Sequence, residues 1–505
     1  MKRLLLCVSV LAVLTACQPK SAEMYTEAAE YDQTYVPAPT GERPNDERYD
    51  GKAVSPIVRV ADRPVSTFAV DVDTGAYANV RRLLNDGQRP PADAVRTEEL
   101  LNYFRYDYPL PADKKQPFSI TTEVTTTPWN PNSRLLRVGL RAYDVPRSER
   151  PAANLVFLID VSGSMDEKDK LPLVQHALRL VADDMRPRDR VSIVVYAGAA
   201  GIVLEPTANP AQVRRALGQL KAGGSTAGGE GIALAYATAR AAYIDGGINR
   251  VILATDGDFN VGISDPEAIK DLVRKNKDDG ITLTALGFGT GNYNEALMEG
   301  IADVGNGNYA YIDSASEARK VLDDELSSTL FTVAQDVKIQ VEFNPTQVSQ
   351  YRLIGYENRI LAEEDFNNDH VDAGDIGAGH QVTAIYEIIP AGGTGWTDER
   401  RYTGTASPAT PSNELLWLKL RYKLPNGTDS RLLEQAVPVQ ALRDARAPQG
   451  DMAFAVSVAA YGQILRGDKY LQGFGFDDAR RLAGGQSDFR RQEFLELTKL
   501  AEAAN

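Results

Sequence analysis

The chain has 505 residues, 43% of them hydrophobic and 25% charged, and a formal net charge of −14. This length holds roughly two to four domains with ample core for each. The negative charge is spread without a basic patch or stripe, which argues against nucleic acid or an anionic membrane surface as the partner. Both cysteines, Cys7 and Cys17, lie near the N-terminus, so the body is expected to be held by its cores without a disulfide.

Met1-Lys2-Arg3 is a basic start, and the apolar run Leu4 to Leu14 is too short to span a bilayer as a stable helix. Residues 1–16 therefore read as a signal peptide. Leu14-Thr15-Ala16-Cys17 looks like a bacterial lipobox, in which cleavage precedes Cys17 and its thiol is acylated. An ordinary secretory signal with a chance cysteine is the alternative. Gln18 rather than Asp follows the cysteine, which points to the outer membrane if the source is Gram-negative. The expected location is the cell envelope, lipid-anchored, facing the periplasm or the cell surface. Residues 17–60, rich in Glu, Asp, Pro, Tyr and Ala, read as an extended or disordered tether unless the tyrosines pack on the body.

Residues 61–150 read as an α+β segment. Val65 to Thr74 alternates like a strand, Tyr77 to Leu84 and Ala94 to Tyr103 look helical, and Phe118 to Thr127 and Leu135 to Tyr143 are β-like. Residues 151–333 alternate apolar strand candidates with amphipathic helices, which means a mostly parallel sheet covered on both faces. The strand candidates near 191–196 and 202–204 look like a hairpin at its edge. Residues 334–445 carry β-like runs separated by Gly, Pro, Ser and Thr, the pattern of a β-sandwich. The β stretches at 118–143 would complete that sandwich and make the central domain an insertion. Residues 446–505 are helical, with Phe454, Val458, Tyr461 and Leu465 on one face and a last helix from Glu493 to Ala503. The expected class is α/β: a doubly wound, mostly parallel sheet inserted in or flanked by a β-sandwich, with a C-terminal helical segment.

The chemistry gathers at Leu155-Val-Phe-Leu-Ile-Asp160-Val-Ser162-Gly-Ser164-Met165. An apolar run fit for a doubly buried strand stops at an acid, and two hydroxyls follow at alternate positions. These groups sit at the carboxyl end of a strand, where open α/β sheets place their ligands. One Asp and two Ser are hard oxygen donors suited to Mg²⁺ or Mn²⁺. Alone, the same residues are also common connecting chemistry, with Ser as the cap of the next helix. Two later stretches change the balance. Gly223-Gly-Ser-Thr226-Ala-Gly-Gly229 presents a Thr hydroxyl before another helix, and Arg250-Val-Ile-Leu-Ala-Thr255-Asp256 repeats the strand-then-Asp pattern.

In this order, Asp160, Ser162, Ser164, Thr226 and Asp256 resemble the metal-ion-dependent adhesion site of von Willebrand factor A domains. Val65 to Tyr77, Tyr351 to Asn358 and Phe454 to Gln463 are similar to the flanks of one family of bacterial envelope proteins. Its members carry such a domain between N- and C-terminal domains of unknown function. The resemblance implies a Mg²⁺ (or Mn²⁺) ion held by those five residues, with an acidic side chain of a partner protein as the missing ligand. Asp258 and Phe259 read as either rim or plain loop, and Met165 as rim contact or core cap. A structural or assembly scaffold, whose metal only stabilises loops, is the alternative.

No enzyme is expected. Asp71-Val-Asp73-Thr74-Gly75 approaches the nucleophile loop of haloacid dehalogenase-type phosphatases, but its fifth residue is Gly and no α/β domain follows, so a strand end and turn is the better reading. A metal-assisted hydrolase lacks a general base, since His176, His370 and His380 show no ligand spacing. Asp365 to Asp372 has calcium-like acid spacing without the glycine and final acid of an EF-hand loop, so it reads as a solvated turn. Gly287 to Asn292 lacks the last glycine of the dinucleotide pattern, and no nucleotide is expected.

Overall fold

The computed structural model describes residues 47–504 except 114, 147, 198, 224–227, 258–264, 292, 326–327, 329, 399–412 and 426. The signal peptide, Cys17, the first part of the tether, Thr226, Asp258 and Phe259 lie outside the described residues.

The strand Ala153–Asp160 is buried along its whole length. Leu155, Phe157 and Ile159 point to one core with Leu171, Val174 and Leu178 of the helix Leu171–Asp183. Val156 and Leu158 point to the opposite core, with Ile232 and Tyr236 of the helix Gly228–Ala241 and with Ile301 of the helix Glu295–Val304. A strand with period-two side chains and apolar residues on both faces must be covered twice. The sheet runs Tyr309–Ile312, Thr282–Phe288, Ile248–Thr255, Ala153–Asp160, Arg190–Ala197, Ala199–Thr207. All pairings are parallel except the last, an antiparallel edge hairpin. This is the doubly wound architecture expected from the sequence.

Two antiparallel sheets flank it. One runs Val58–Arg59, Val348–Ile354, Gln381–Pro390, Arg134–Ala142, Phe118–Thr126. The other runs Ile360–Leu361, Val65–Ala69, Thr332–Phe343, Glu414–Lys423, Ser430–Pro438, with Gly374–Gly377 paired to Thr332–Phe343. Phe343 stacks on Tyr351 at 4.5 Å and meets Tyr386 edge-on at 5.4 Å, so rings from both sheets close the core between them. Each sheet draws strands from before and after the α/β unit. Arg134–Ala142 pairs with Gln381–Pro390, and Val65–Ala69 with Thr332–Phe343. The α/β unit is thus an insertion between sandwich strands.

Three local expectations need correction. The strand read over 65–74 ends at Ala69, because Asp71 and Asp73 turn the chain into the helix Gly75–Asn85. The last part of the tether is bound to the body. The Arg48 amide donates to the Tyr293 carbonyl (3.0 Å), the Glu295 amide donates to the Arg48 carbonyl (3.2 Å), and the Tyr49 hydroxyl accepts from Asn79 Nδ2 (2.9 Å). The helix Gly450–Leu465 buries 13 of its 16 residues rather than one face. It is enclosed by Thr97–Asn102, by Phe476–Ala483 (a helix the periodicity did not reveal) and by Phe489–Ala503, with Phe104, Phe454, Tyr461 and Phe494 in edge-on contact. Arg352, fully buried, ties this helical layer to the sandwich. It donates to Glu387 Oε2 (2.8 and 3.0 Å), Asp468 Oδ2 (2.7 Å) and Gln463 Oε1 (2.7 Å).

Candidate metal centre

Asp160 is the last residue of the central strand and is fully buried. Its Oδ1 accepts from the Ser162 amide (2.8 Å), and its Oδ2 from the Thr255 hydroxyl (3.1 Å). Ser162 is extended, and the chain then tightens into the 3-10 turn Gly163–Asp166, closed by the Met165 amide on the Ser162 carbonyl (3.0 Å). That turn brings Ser164 Oγ to 2.9 Å from Ser162 Oγ. Met165 is buried, so it caps the core instead of forming a rim. Asp256 follows the neighbouring strand Ile248–Thr255 and is equally buried.

The glycine-rich loop starts beside this group, since the Gly223 amide donates to the Val161 carbonyl (2.8 Å). The helix after that loop packs tightly, and a Cβ on Gly231 would lie 2.9 Å from Tyr196 Cβ. Gly257, at φ +90°, lets the chain after Asp256 pass against the 293–294 backbone, where a Cβ would stand 2.7 Å from the Asn294 nitrogen. Four of the five expected ligands are therefore described, on adjacent strand ends.

The electrostatics are uneven. Burial pushes the Asp160 carboxyl up to about 6, against the Ser162 and Thr255 hydrogen bonds that pull it down; nearby Asp256 adds to the rise. Asp256 has a cation of the protein's own. Lys170 Nζ, on a side chain only 2% exposed, donates to Asp256 Oδ2 at 3.1 Å. The stem of Lys170 lies over Gly289 (φ +74°), where a Cβ would overlap Cγ and Cε at 2.4 Å. Two carboxylates, paired hydroxyls and a desolvated acid held by neutral donors fit a hard divalent cation. Lys170 and Thr255 were missed as site residues in the sequence. Lys170 follows the acid-rich run Asp166 to Asp169, which hides it among surface charges.

The other candidates stand elsewhere. His176 and His370 are exposed, and His380 is held neutral by burial, down to about 4, with its Nδ1 accepting from the Gly377 amide. Asp369 and Asp372 turn to separate cations, Arg421 and Lys277, so the 365–372 stretch is not a calcium loop.

Known proteins match this arrangement in three segments. Residues 43–137 match the model described as von Willebrand factor, 154–325 the von Willebrand factor type A domain, and 328–504 the C-terminal domain of uncharacterized protein YfbK. YfbK of Escherichia coli strain K12 is 45% identical over 497 residues, spanning 96% of this chain and 85% of YfbK. The chain belongs to the YfbK family. An uncharacterized protein of Synechocystis shares 33% identity over 189 residues, 37% of this chain and 44% of that protein. Among solved structures, a von Willebrand factor type A protein from Catenulispora acidiphila covers 76% of this chain and 89% of its own, with 17% identity and a TM-score of 0.42. This YfbK-family chain thus carries the von Willebrand factor A domain that the five-residue pattern implied. Domains of this type commonly mediate protein–protein interactions, and nothing in these matches shows enzymatic activity.

Proposed function

We propose that this YfbK-family protein binds a partner protein through a divalent cation, Mg²⁺ or Mn²⁺, held by Asp160, Ser162, Ser164, Thr226 and Asp256. The observation that carries the reading is Asp160: a buried carboxylate at a strand end, answered among the described residues by neutral donors, beside two convergent hydroxyls. The ion would supply an electrophilic centre, and two carboxylates leave it enough charge to take an acidic side chain from the partner as a further ligand. Lys170 is part of this reading. Its ammonium holds Asp256 in place of part of the ion's charge, so it keeps the cation-free domain folded and lowers its affinity for metal. Acylated Cys17 would hold the protein on the envelope, at the outer membrane, with the domain facing the periplasm or the cell surface.

The test is capture of a defined protein from envelope extract by the full chain, with Mg²⁺, with chelator, and with Asp160→Ala. Metal-dependent capture that the variant abolishes at similar melting temperature is the expected outcome. Capture indifferent to both treatments would sink the reading. A scaffold role is a second reading, favoured by Arg81. This buried guanidinium of the N-terminal helix joins Asp313 and Glu317 of the A domain to Glu493 of the last helix at 2.5–3.0 Å. It predicts that function survives Asp160→Ala and fails when the flanking domains are removed.

A further inference from the structure

Residues 47–55 lie on the body ahead of the strand Val58–Arg59, and their start is fixed to one loop of the A domain. The backbone of Arg48 is stitched to that loop twice. Its amide donates to the Tyr293 carbonyl (3.0 Å), and its carbonyl accepts from the Glu295 amide (3.2 Å). Glu47 grips the same loop with a side chain only 2% exposed. Its Oε1 accepts from the Gly291 amide (3.2 Å), and its Oε2 from the Tyr49 hydroxyl (2.6 Å) and from Arg82 (2.9 Å). Hydrogen bonds to a charged group are about twice as strong as neutral ones. Further along, Arg466 donates to the Lys52 carbonyl (2.6 Å) and the Ser55 amide to Glu357 (3.2 Å), so the segment is tied at both ends.

The loop so held supports the cation of the strand-end centre. Gly289, at φ +74°, carries the stem of Lys170, whose ammonium donates to Asp256 (3.1 Å). Two lines of contact join Glu47 to that glycine. One is the Gly291 amide, two residues along the loop. The other passes through Arg82, whose guanidinium lies over the Tyr311 ring at 5.7 Å, and through the Tyr311 hydroxyl, which donates to the Gly289 carbonyl (2.6 Å). Gly257, directly after Asp256, passes against Asn294 of the same loop. Asp256 has two alternative partners, the ammonium and an ion, and the loop under Lys170 favours the first. Such a two-state element is what lets one segment act on a distant group.

We propose that Glu47, Arg48 and Tyr49 form a strap that holds the loop of Gly289, Gly291 and Asn294 under Lys170, and thereby keeps the metal affinity of the strand-end centre low. This rests on the reading of that centre as a metal site. Freeing the strap lets the Lys170 stem leave Gly289, and Asp256 is then open to the ion. Coupling is reciprocal, so the ion loosens the strap by the same factor. Residues 17–46 precede the strap in the chain, so a pull from Cys17 acts first on these bonds.

The experiment titrates the full chain with Mg²⁺ alone by calorimetry and follows amide hydrogen exchange with and without the ion. Glu47→Ala and Arg48→Pro, which remove the side-chain grip and a backbone stitch, should each tighten Mg²⁺ binding at least about fivefold. Lys52→Ala, on the same segment with its side chain 46% exposed, should leave binding unchanged. In a Lys170→Met background the two strap changes should lose their effect, because the ammonium they act through is gone. Saturating Mg²⁺ should speed exchange of the Gly291 and Glu295 amides in the parent chain by a like factor. Mg²⁺ binding by the parent, with unchanged or weaker affinity in both strap variants, would overturn the strap while sparing the metal site. No Mg²⁺ binding by the parent would overturn both. Exchange at the two amides that Mg²⁺ leaves untouched would overturn the strap even if a variant failed to fold.

Discussion

The two acidic centres of this molecule are built in opposite ways. At the strand ends, two aspartates are spaced by neutral hydroxyls and one lysine, and the loops carrying them come from a single domain. At the N-terminal junction, where the N-terminal segment meets the A domain, the buried acids Asp71, Asp73, Glu98, Glu99, Glu295 and Glu299 crowd around Arg96 and Arg359. Among the described residues the first arrangement leaves Asp160 without a cationic partner, which suits the ion and the partner's ligand proposed for it. The second leaves a larger excess of buried acids, which raises the proton affinity of Glu98, Glu99 and Glu295.

The largest effect should come from removing an arginine of the second centre. Arg359→Met strips a buried guanidinium from Asp71, Asp73 and Glu299, and breaking such a network by one partner costs about 3–5 kcal/mol. A urea midpoint close to that of the parent would dissolve the contrast, since the junction would then not depend on its charges. Next is Lys170→Met. Without its ammonium the cation-free chain should lose about 3 kcal/mol, and Mg²⁺ should bind roughly tenfold more tightly and restore much of the loss. Calorimetry showing weaker Mg²⁺ binding would mean that Lys170 supports the ion instead of replacing it.

A smaller effect follows from pH. Burial holds Glu98 at about 7 and Glu295 at about 8, above the ordinary value of 4.5; Glu357, Glu299 and Asp71 add to this, and Arg96 opposes it. The folded state then binds more protons than the unfolded one between these values. The stability these groups contribute is fully present below about 4.5 and is lost as the pH rises through 7 and 8. The chelated chain should melt lower at pH 8.5 than at pH 6. A rise in melting temperature over the same interval would reverse the assignment. The smallest effect is Asp160→Asn. It removes a desolvated charge and should stabilise the cation-free chain by about 1 kcal/mol above pH 6 while abolishing Mg²⁺-dependent capture.

Legibility differs between the two centres for the same reason. Asp160, Ser162 and Ser164 are neighbours in the chain, and Asp256 ends a second strand with the same apolar run, so spacing alone placed them at one sheet edge. The ion pair from Lys170 was hidden, because a lysine in an acidic stretch reads as solvated until its stem is seen lying on Gly289. Asp71 and Asp73 looked like a strand end and turn. Nothing in the chain announces that Glu99 and Glu299, 200 residues apart in sequence, meet beside them.

By itself, the sequence determined the alternation of strands and helices over 151–333, the change to β-rich chain after it, and the residues that line the strand-end loops. These are local matters: hydrophobic period, turn chemistry and the spacing of donors along one loop. The sequence led to the expectation that the 118–143 stretches complete the sandwich, but tertiary structure decided that Arg134–Ala142 lies beside Gln381–Pro390, and that the helix Gly450–Leu465 is enclosed on all sides. It also decided that six acids converge at the N-terminal junction. Pairing between distant strands and the sharing of charge between distant helices depend on which surfaces meet, and a one-dimensional pattern carries no record of that.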